Sequence, residues 1–228
     1  MPVRSFDNVA LDNIVFRQPR GANSFGGYSG NCYTQDGDVI LVETPELSFP
    51  FEVKFNSLTA YEATSPPEDG ETDDSDIMPT PFAQFIKKFS QLAYASFDTF
   101  RAHRRVQTND PDFGYEDSDY FDIVRRKSKM HDDGIVTHSV RYSFKTHTDQ
   151  KTKAPEIRVV DSYSHATNLA PGRGIKGISV IQPHSWYYDV GRKRLHIRVY
   201  IKSIRLAKQV DTGVDIRDWL DTETPFNY

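Results

Sequence analysis

The chain has 228 residues, a formal net charge of -4 and a mean hydropathy of -0.60. Its single cysteine, Cys32, excludes an intrachain disulfide and a thiolate zinc cage, which favours a reducing compartment. The first residues lack the apolar core of a signal peptide, and no apolar run approaches the ~18 residues that cross a bilayer. We therefore expect a soluble intracellular protein, in the nucleus or the cytoplasm, without a membrane partner.

Two acidic segments account for the negative net charge. Residues 62–76 contain seven acids and no base, and residues 211–228 contain five acids against the single base Arg217. The remainder of the chain is basic, so the average charge hides a cationic body. We predict one domain over residues 1–210, with a disordered acidic loop at 65–76 that offers nothing to bury, and an acidic C-terminal tail at 211–228.

The first quarter of the chain has the pattern of a β-meander. Two strand-like segments, residues 32–35 and 39–43, flank Asp36, Gly37 and Asp38. This turn sequence between two apolar segments predicts a β-hairpin.

The periodicity changes from strand to helix at Pro81. Apolar side chains, many of them phenylalanines, recur at helical spacing from Phe82 to Phe100, with Thr80 placed to cap the helix and Pro81 at its first position. The pattern predicts one amphipathic helix over residues 81–105, whose phenylalanine stripe faces the core rather than a ligand.

After the helix the strand pattern returns. Residues 120–129 and 135–145 flank the turn sequence His131 to Gly134 and predict a second hairpin, and residues 156–163 and 175–182 predict two more strands, the last ending before Pro183. A chain of many strands interrupted by one helix favours a mainly β protein that forms a small closed or nearly closed barrel.

The segment from Gly191 to Lys208 combines a strand pattern with unusual charge. Aliphatic residues at 195, 197, 199 and 201 alternate with His196, Arg198, Tyr200 and Lys202, and the segment contains seven cations and no carboxylate. A polyanion lying across the outward face would explain this segregation, with cations at phosphates and a ring offered to a base. The alternative is a solvated strand face that is basic by chance.

We predict that this strand and a second basic region bind nucleic acid. Trp186 and Tyr187 lie close to these cations in the sequence, although both have burial in the core as an alternative, which is favoured for Trp186. The predicted nucleic-acid-binding residues are Arg192, Arg194, Arg198, Tyr200 and Lys202, with Arg125, Arg126, Lys127, Arg141 and Lys145 as a second wall.

Motifs for catalysis or cofactor binding are missing from the sequence. Residues 172–177 read GRGIKG, but a strand pattern follows where a dinucleotide-binding loop requires a helix. The sequence contains no phosphate-loop lysine motif, no HExxH and no GxSxG, and its seven histidines lack metal-ligand spacing. We therefore expect neither an enzyme nor a cofactor or metal.

Two other classes of function stay open at this stage. One is a viral structural protein, such as a jelly-roll capsid or scaffold component, whose basic face lies toward the genome or an acidic partner. The other is an enzyme acting on nucleic acid, which would require Asp119, Asp122 and Asp161 to converge on a metal.

The order of these features resembles that of a known family. A Gly- and aromatic-containing loop precedes ETPELSFPFEV at 43–53, then come the long helix and the basic strand RLHIRVYIKSIRL at 194–206. This layout is similar to that of the single-stranded DNA-binding proteins of nucleocytoplasmic large DNA viruses, which themselves resemble the podophage type. The resemblance implies an OB-fold barrel with an inserted helix, and binding of single-stranded DNA without base specificity in replication, recombination or repair.

The resemblance also implies a role for the C-terminal tail. In that family an acidic tail with a terminal aromatic residue contacts replication proteins and competes with DNA. The corresponding partner-binding residues here are Asp218, Asp221, Glu223 and Phe226, although this tail also contains Arg217 and Pro225. A homodimer is compatible with these expectations.

Overall fold

The computed structural model describes residues 3–54, 56–66, 78–114, 123–149, 151–152, 154–167, 171 and 174–207. The predicted acidic loop at 65–76, apart from its first two residues, and the predicted tail at 211–228 lie outside these ranges. Within them the protein is mainly β with one long helix, as expected. Two short 3-10 helices, Phe6–Asn8 and Leu11–Asn13, follow the first strand.

In the described residues five strands precede the single long helix and five follow it. They are β1 (Arg4–Ser5), β2 (Ile14–Arg17), β3 (Tyr28–Thr34), β4 (Val42–Phe49), β5 (Ser57–Thr64), α1 (Pro81–Thr108), β6 (Val124–Met130), β7 (Val136–Lys145), β8 (Arg158–Val160), β9 (Ile175–Asp189) and β10 (Arg194–Leu206).

Helix α1 begins where the sequence predicts. The Thr80 hydroxyl accepts a hydrogen bond from the Ala83 amide at 3.1 Å, and Pro81 occupies the first turn, where its missing N–H costs nothing. The helix continues to Thr108, three residues beyond the predicted end. It stops at Asn109, whose left-handed conformation (φ 51°) ends the hydrogen-bond pattern.

A carboxylate fastens the start of the helix to the sheet. Glu62 of β5 accepts hydrogen bonds from the hydroxyl of Tyr142 on β7 and from the capping Thr80, the latter at 2.7 Å. The pKa of Tyr142 is raised, first by burial and then by the Glu62 charge, so the phenol stays protonated and donates. One acceptor therefore joins two strands and the helix cap.

Five strands pair around a ring. β4 pairs with β5, β5 with β7, β7 with β10, β10 with β9, and β9 with β4. Four of these strands lie side by side in the spatial order β9, β4, β5, β7, each antiparallel to the next. Numbered one to four along the chain, they have the order 4-1-2-3 of a Greek key. Strand β10 joins β7 in parallel. Two of the five pairings consist of a single residue pair, Ser48 with Tyr61 and Tyr200 with Lys145, so the barrel is not clearly closed.

The remaining strands extend this ring. β3 continues the sheet from β9 and β2 follows β3, while β1 pairs with β4, β6 with β7, and β8 with β10. The predicted hairpin between β6 and β7 is confirmed, with Met130 opposite Val136 and the turn at His131 to Gly134.

The predicted hairpin at Asp36 to Asp38 is wrong. The turn itself forms, since the Thr34 amide donates to the Asp38 carbonyl at 2.9 Å, but β3 and β4 do not pair with each other in the described ranges. Both pair with the same edge of the 15-residue strand β9, β4 along residues 175–181 and β3 along residues 185–188. Because they lie end to end along one partner, they cannot lie side by side.

Strand β9 runs through the proline that was predicted to end it. Pro183 pairs with Val199 at a register shift between Arg198 and Val199. The register leaves His184 unpaired at this bulge, and the local disruption of the ladder tolerates a neighbouring residue that lacks an N–H. The longer strand brings residues 184–188 into the sheet.

The core lies between α1 and the sheet and is rich in aromatic rings. Phe97 packs on Trp186 and Tyr188, with ring centroids 5.3 and 5.1 Å apart, and Phe82 packs on Tyr142 at 5.1 Å. Trp186 is fully buried, and its indole N–H donates to the Ser96 hydroxyl at 3.1 Å. Trp186 therefore belongs to the core, and the opposite face of β9 and β10 is left for other contacts.

Gly30→Ala is expected to destabilise the protein. Gly30 pairs with Trp186 across β3 and β9, and a Cβ at residue 30 would overlap the indole ring. Forcing an extra methyl into such a core costs about 1–3 kcal/mol, so the free energy of unfolding in urea should fall by that amount.

Gly21→Ala provides the control, because nothing lies within 4 Å of a Cβ at that position. Its stability should stay within about 0.5 kcal/mol of the wild type. Equal stability of the Gly30→Ala variant and the wild type would contradict the tight packing of Trp186 described above.

Candidate nucleic-acid interface

The predicted two-faced pattern of β10 is confirmed. Leu195, Ile197, Val199 and Ile201 are buried, whereas the residues that alternate with them are partly exposed. His196, Arg198, Tyr200 and Lys202 therefore lie on the outward face, away from α1.

Aromatic rings of β9 and of β10 itself contact these cations. The Arg198 guanidinium lies 3.9 Å from the ring centroid of Tyr187 on β9, and the Lys202 ammonium lies 5.6 Å from the centroid of Tyr200. Further along the sheet, the Arg17 guanidinium of β2 lies 4.3 Å from the ring centroid of Tyr33 on β3. Each distance is within the range of a cation–π contact.

Three histidines complete the cluster. His147 stacks on Tyr200 with centroids 4.0 Å apart and planes at 8°, and His184 meets the same ring edge-on at 4.9 Å. His196 lies 6.3 Å from Tyr187 in a stacked arrangement. We call the outward side chains of Lys145, His147, His184, Tyr187, His196, Arg198, Tyr200 and Lys202 the aromatic–cationic face.

Lys145 connects this face to β7. It pairs with Tyr200 across the parallel contact between β7 and β10. Its pKa is lowered, mainly by burial and then by the Arg198 charge; burial likewise lowers the pKa of Lys202. Among the described residues no carboxylate makes a salt bridge to Lys145, Arg198 or Lys202. The Glu156 carboxylate opposes part of the positive charge at Lys202 and His147, but the cations of the face outnumber it.

Part of the predicted second wall lies on the same side of the sheet. Arg141 shares the outward face of β7 with Lys145, and Arg125 of β6 lies directly opposite Arg141. Lys127 follows two residues after Arg125 and points the same way. Arg126 is on the other face of β6 and only 7% exposed, so it is not brought to this surface.

The predicted arginines at the turn between β9 and β10 are less available. Arg192 is exposed, but its Nε lies 4.0 Å from a carboxylate oxygen of Asp189. Arg194 begins β10 opposite the same Asp189. This carboxylate offsets part of the positive charge at that end of the strand.

The residues invoked for other functions do not form a second site in the described ranges. Asp161 closes a turn by accepting from the amides of Tyr163 and His165, each at 2.8 Å, whereas Asp119 and Asp122 lie outside these ranges. No group of three or more potential metal ligands occurs among the described residues. The tail residues Asp218, Asp221, Glu223 and Phe226 also lie outside them.

The described helix is too polar to span a bilayer.

Sequence reasoning missed His147 and His184 as members of the face, and it noted Tyr187 beside the cations without choosing between the surface and the core. His147 follows β7 by two residues, and His184 enters through the bulge of β9. Only the register of β9 and β10 separates the buried Trp186 and Tyr188 from the outward Tyr187.

The face keeps two of its histidines uncharged at neutral pH. Burial, followed by the neighbouring cations, lowers the pKa of His184 to about 4 and that of His196 to about 4. The charged groups around them are Arg198, Lys145 and Lys202, with Asp189 acting in the opposite direction on His196 alone.

These pKa values predict that stability falls with acidification. In the unfolded chain a histidine has a pKa of about 6.5, so between pH 6.5 and 4 the unfolded state binds more protons than the folded state. The free energy of unfolding should decrease as the pH falls through this window and should not change from this cause above pH 7.

The His184→Gln and His196→Gln double variant should lose part of that slope between pH 7 and 5, measured by urea unfolding at each pH. A double variant with the same slope as the wild type would show that these two side chains do not control the acid sensitivity.

The sequence matches no protein-family model, and a search of curated proteins finds no significant match. The function is therefore inferred from the geometry of the aromatic–cationic face.

Proposed function

We propose that the protein binds single-stranded DNA without base specificity, through the aromatic–cationic face. The observation that carries this proposal is the interleaving of rings with cations that make no salt bridge among the described residues, on one side of β9 and β10, in a protein of net negative charge. A solvated face that was basic by chance would not need stacked rings between its cations.

The two kinds of side chain would act on different parts of the strand. Arg198, Lys202 and Lys145 attract the phosphates and release counterions, which gives a salt-dependent affinity. The rings offer flat surfaces to unpaired bases, and each stacked base contributes roughly 1–3 kcal/mol whatever its identity. Since His147 already covers one side of Tyr200, the two rings act as one stacking unit. Duplex bases are paired internally and cannot use these surfaces.

The fold supports the proposal without requiring it. An OB-fold is a five-stranded, partly open Greek-key barrel that binds oligonucleotides on its strands. We infer that β4, β5, β7, β9 and β10 form such a barrel, because five strands pair in a ring and four of them follow the Greek-key order. The resemblance to the viral single-stranded DNA-binding proteins implies the same fold, and there the tail residues would recruit replication proteins.

Oligo-dT should bind more tightly than the matching duplex. Fluorescence anisotropy of labelled DNA, titrated at low and at physiological salt, measures both affinities. We expect the logarithm of the affinity for oligo-dT to fall linearly with the logarithm of the salt concentration, by about 0.7 for each phosphate neutralised. The absence of binding to oligo-dT at low salt would overturn the proposed function, and the face would then be reinterpreted as a surface for an acidic protein.

Arg198→Ala and Lys202→Ala should each weaken binding to all sequences by a similar factor and reduce the salt slope by about 0.7. Arg4→Ala removes an exposed cation from β1, outside the face, and serves as the matched control. An equal loss for Arg4→Ala would show that only the total charge matters.

Binding should strengthen as the pH falls from 7.5 to 5.5. The pKa values of His147 and His184 are lowered in the free protein, mainly by burial, and a phosphate beside them would raise these values in the complex. Binding then takes up protons, so acid favours the complex. Anisotropy at fixed ionic strength tests this, and the His147→Gln and His184→Gln double variant should show a weaker pH dependence. An affinity that does not change with pH would exclude phosphates from these histidines.

A further inference from the structure

Phe25 is the most exposed large apolar side chain of the described residues. It is 90% exposed and lies in the loop between β2 and β3, residues 18–27. No ring or cation contact involves Phe25 in the part of the chain that the structure describes. Covering this ring in a complex would gain the free energy that its exposure to water forgoes.

The loop holds Phe25 in a fixed position. The Asn23 side-chain carbonyl accepts from the amides of Phe25 and Gly27, both at 3.0 Å. The Asn23 backbone N–H donates to the Gly27 backbone carbonyl at 2.7 Å, and the Gly26 N–H donates to the Asn23 backbone carbonyl at 3.0 Å. Gly26 has a φ of +80°, which favours glycine. This compact turn displays the ring with its backbone already ordered, so little entropy would be lost when the ring is covered.

The same turn rests on the aromatic–cationic face. Gly27 packs directly against the Tyr187 ring, where any Cβ would overlap the phenol. Phe25 is two residues away, so its Cα lies within about 7 Å of the Gly27 Cα. Tyr187 in turn carries the Arg198 guanidinium at 3.9 Å. Phe25 therefore extends the line of rings at the end of the face where β3 meets β9.

The charge around the loop favours a nucleic-acid occupant. Arg17 precedes the loop and Arg20 lies within it, and residues 13–35 contain no carboxylate. The Tyr187 and Tyr200 rings are each covered on one side by a guanidinium or an imidazole, whereas the Phe25 ring is 90% exposed. An unpaired base, which brings its own phosphate, satisfies both the ring and the cations.

We infer that Phe25 is a stacking residue that captures one unpaired base at the Tyr187 end of the face. This inference rests on the proposed function and adds a contact that the strand pattern does not contain. It commits to a base because the ring gains from a π-face, while a purely aliphatic partner would leave the flanking arginines without an anion.

The test compares oligo-dT with an oligomer of abasic sites that has the same number of phosphates. Phe25→Ala should weaken binding to oligo-dT by about fivefold or more, the lower limit for loss of one stacked base, and should leave the abasic oligomer unaffected. Phe25→Trp should retain binding, and Phe25→Leu should resemble Phe25→Ala. Arg198→Ala should weaken binding to both oligomers, because it acts on the phosphates.

Tyr163→Ala is the matched control, since Tyr163 is 71% exposed on the turn after β8, at the opposite end of β10. It should bind a short oligo-dT like the wild type. Three outcomes would each overturn the inference while the proposed function stands, provided that the wild type binds oligo-dT. They are an unchanged affinity in Phe25→Ala, equal losses of affinity in Phe25→Ala and Tyr163→Ala, and equal losses of affinity for both oligomers in Phe25→Ala. Failure of the wild type to bind any oligo-dT would remove both.

Discussion

The packing of Trp186 against α1 determines which side of the sheet remains open. Phe97 and Phe100 contact the indole from the helix, and Gly30 leaves room for it on β3. The Trp186 indole N–H donates to the Ser96 hydroxyl, so burying this side chain leaves no unpaired donor. Because side chains alternate along a strand, burying Trp186 and Tyr188 directs Tyr187 outward. The aromatic–cationic face is therefore a consequence of how the helix packs.

Local patterns predicted the elements that depend only on neighbouring residues. The start of α1 followed from Thr80 and Pro81, and the outward residues of β10 followed from strict alternation. The basic run at 125–129 shows the limit of composition, because alternation along β6 places Arg126 inside while Arg125 and Lys127 face out. Charge indicated the region, and the strand period decided which of its side chains are available.

Contacts between distant segments could not be predicted in this way. The stacking of His147 on Tyr200 depends on the pairing of β7 with β10, and the position of His184 depends on a bulge at Pro183, a residue whose sequence signal was interpreted as the end of the strand. The expected hairpin at residues 36–38 failed for a related reason. The turn chemistry was right, but β9 offered one long edge to both β3 and β4, and this longer pairing prevailed over the local one.

The single residue pair between Tyr200 and Lys145 gives the ring of strands its weakest junction within the proposed interface. One residue pair joins β7 to β10 there, whereas β10 and β9 pair along most of their length. A polynucleotide that contacts Lys145 of β7 and Tyr200 of β10 would bridge this junction. The bound nucleic acid would then hold β7 and β10 together through its own contacts, in addition to their single residue pair.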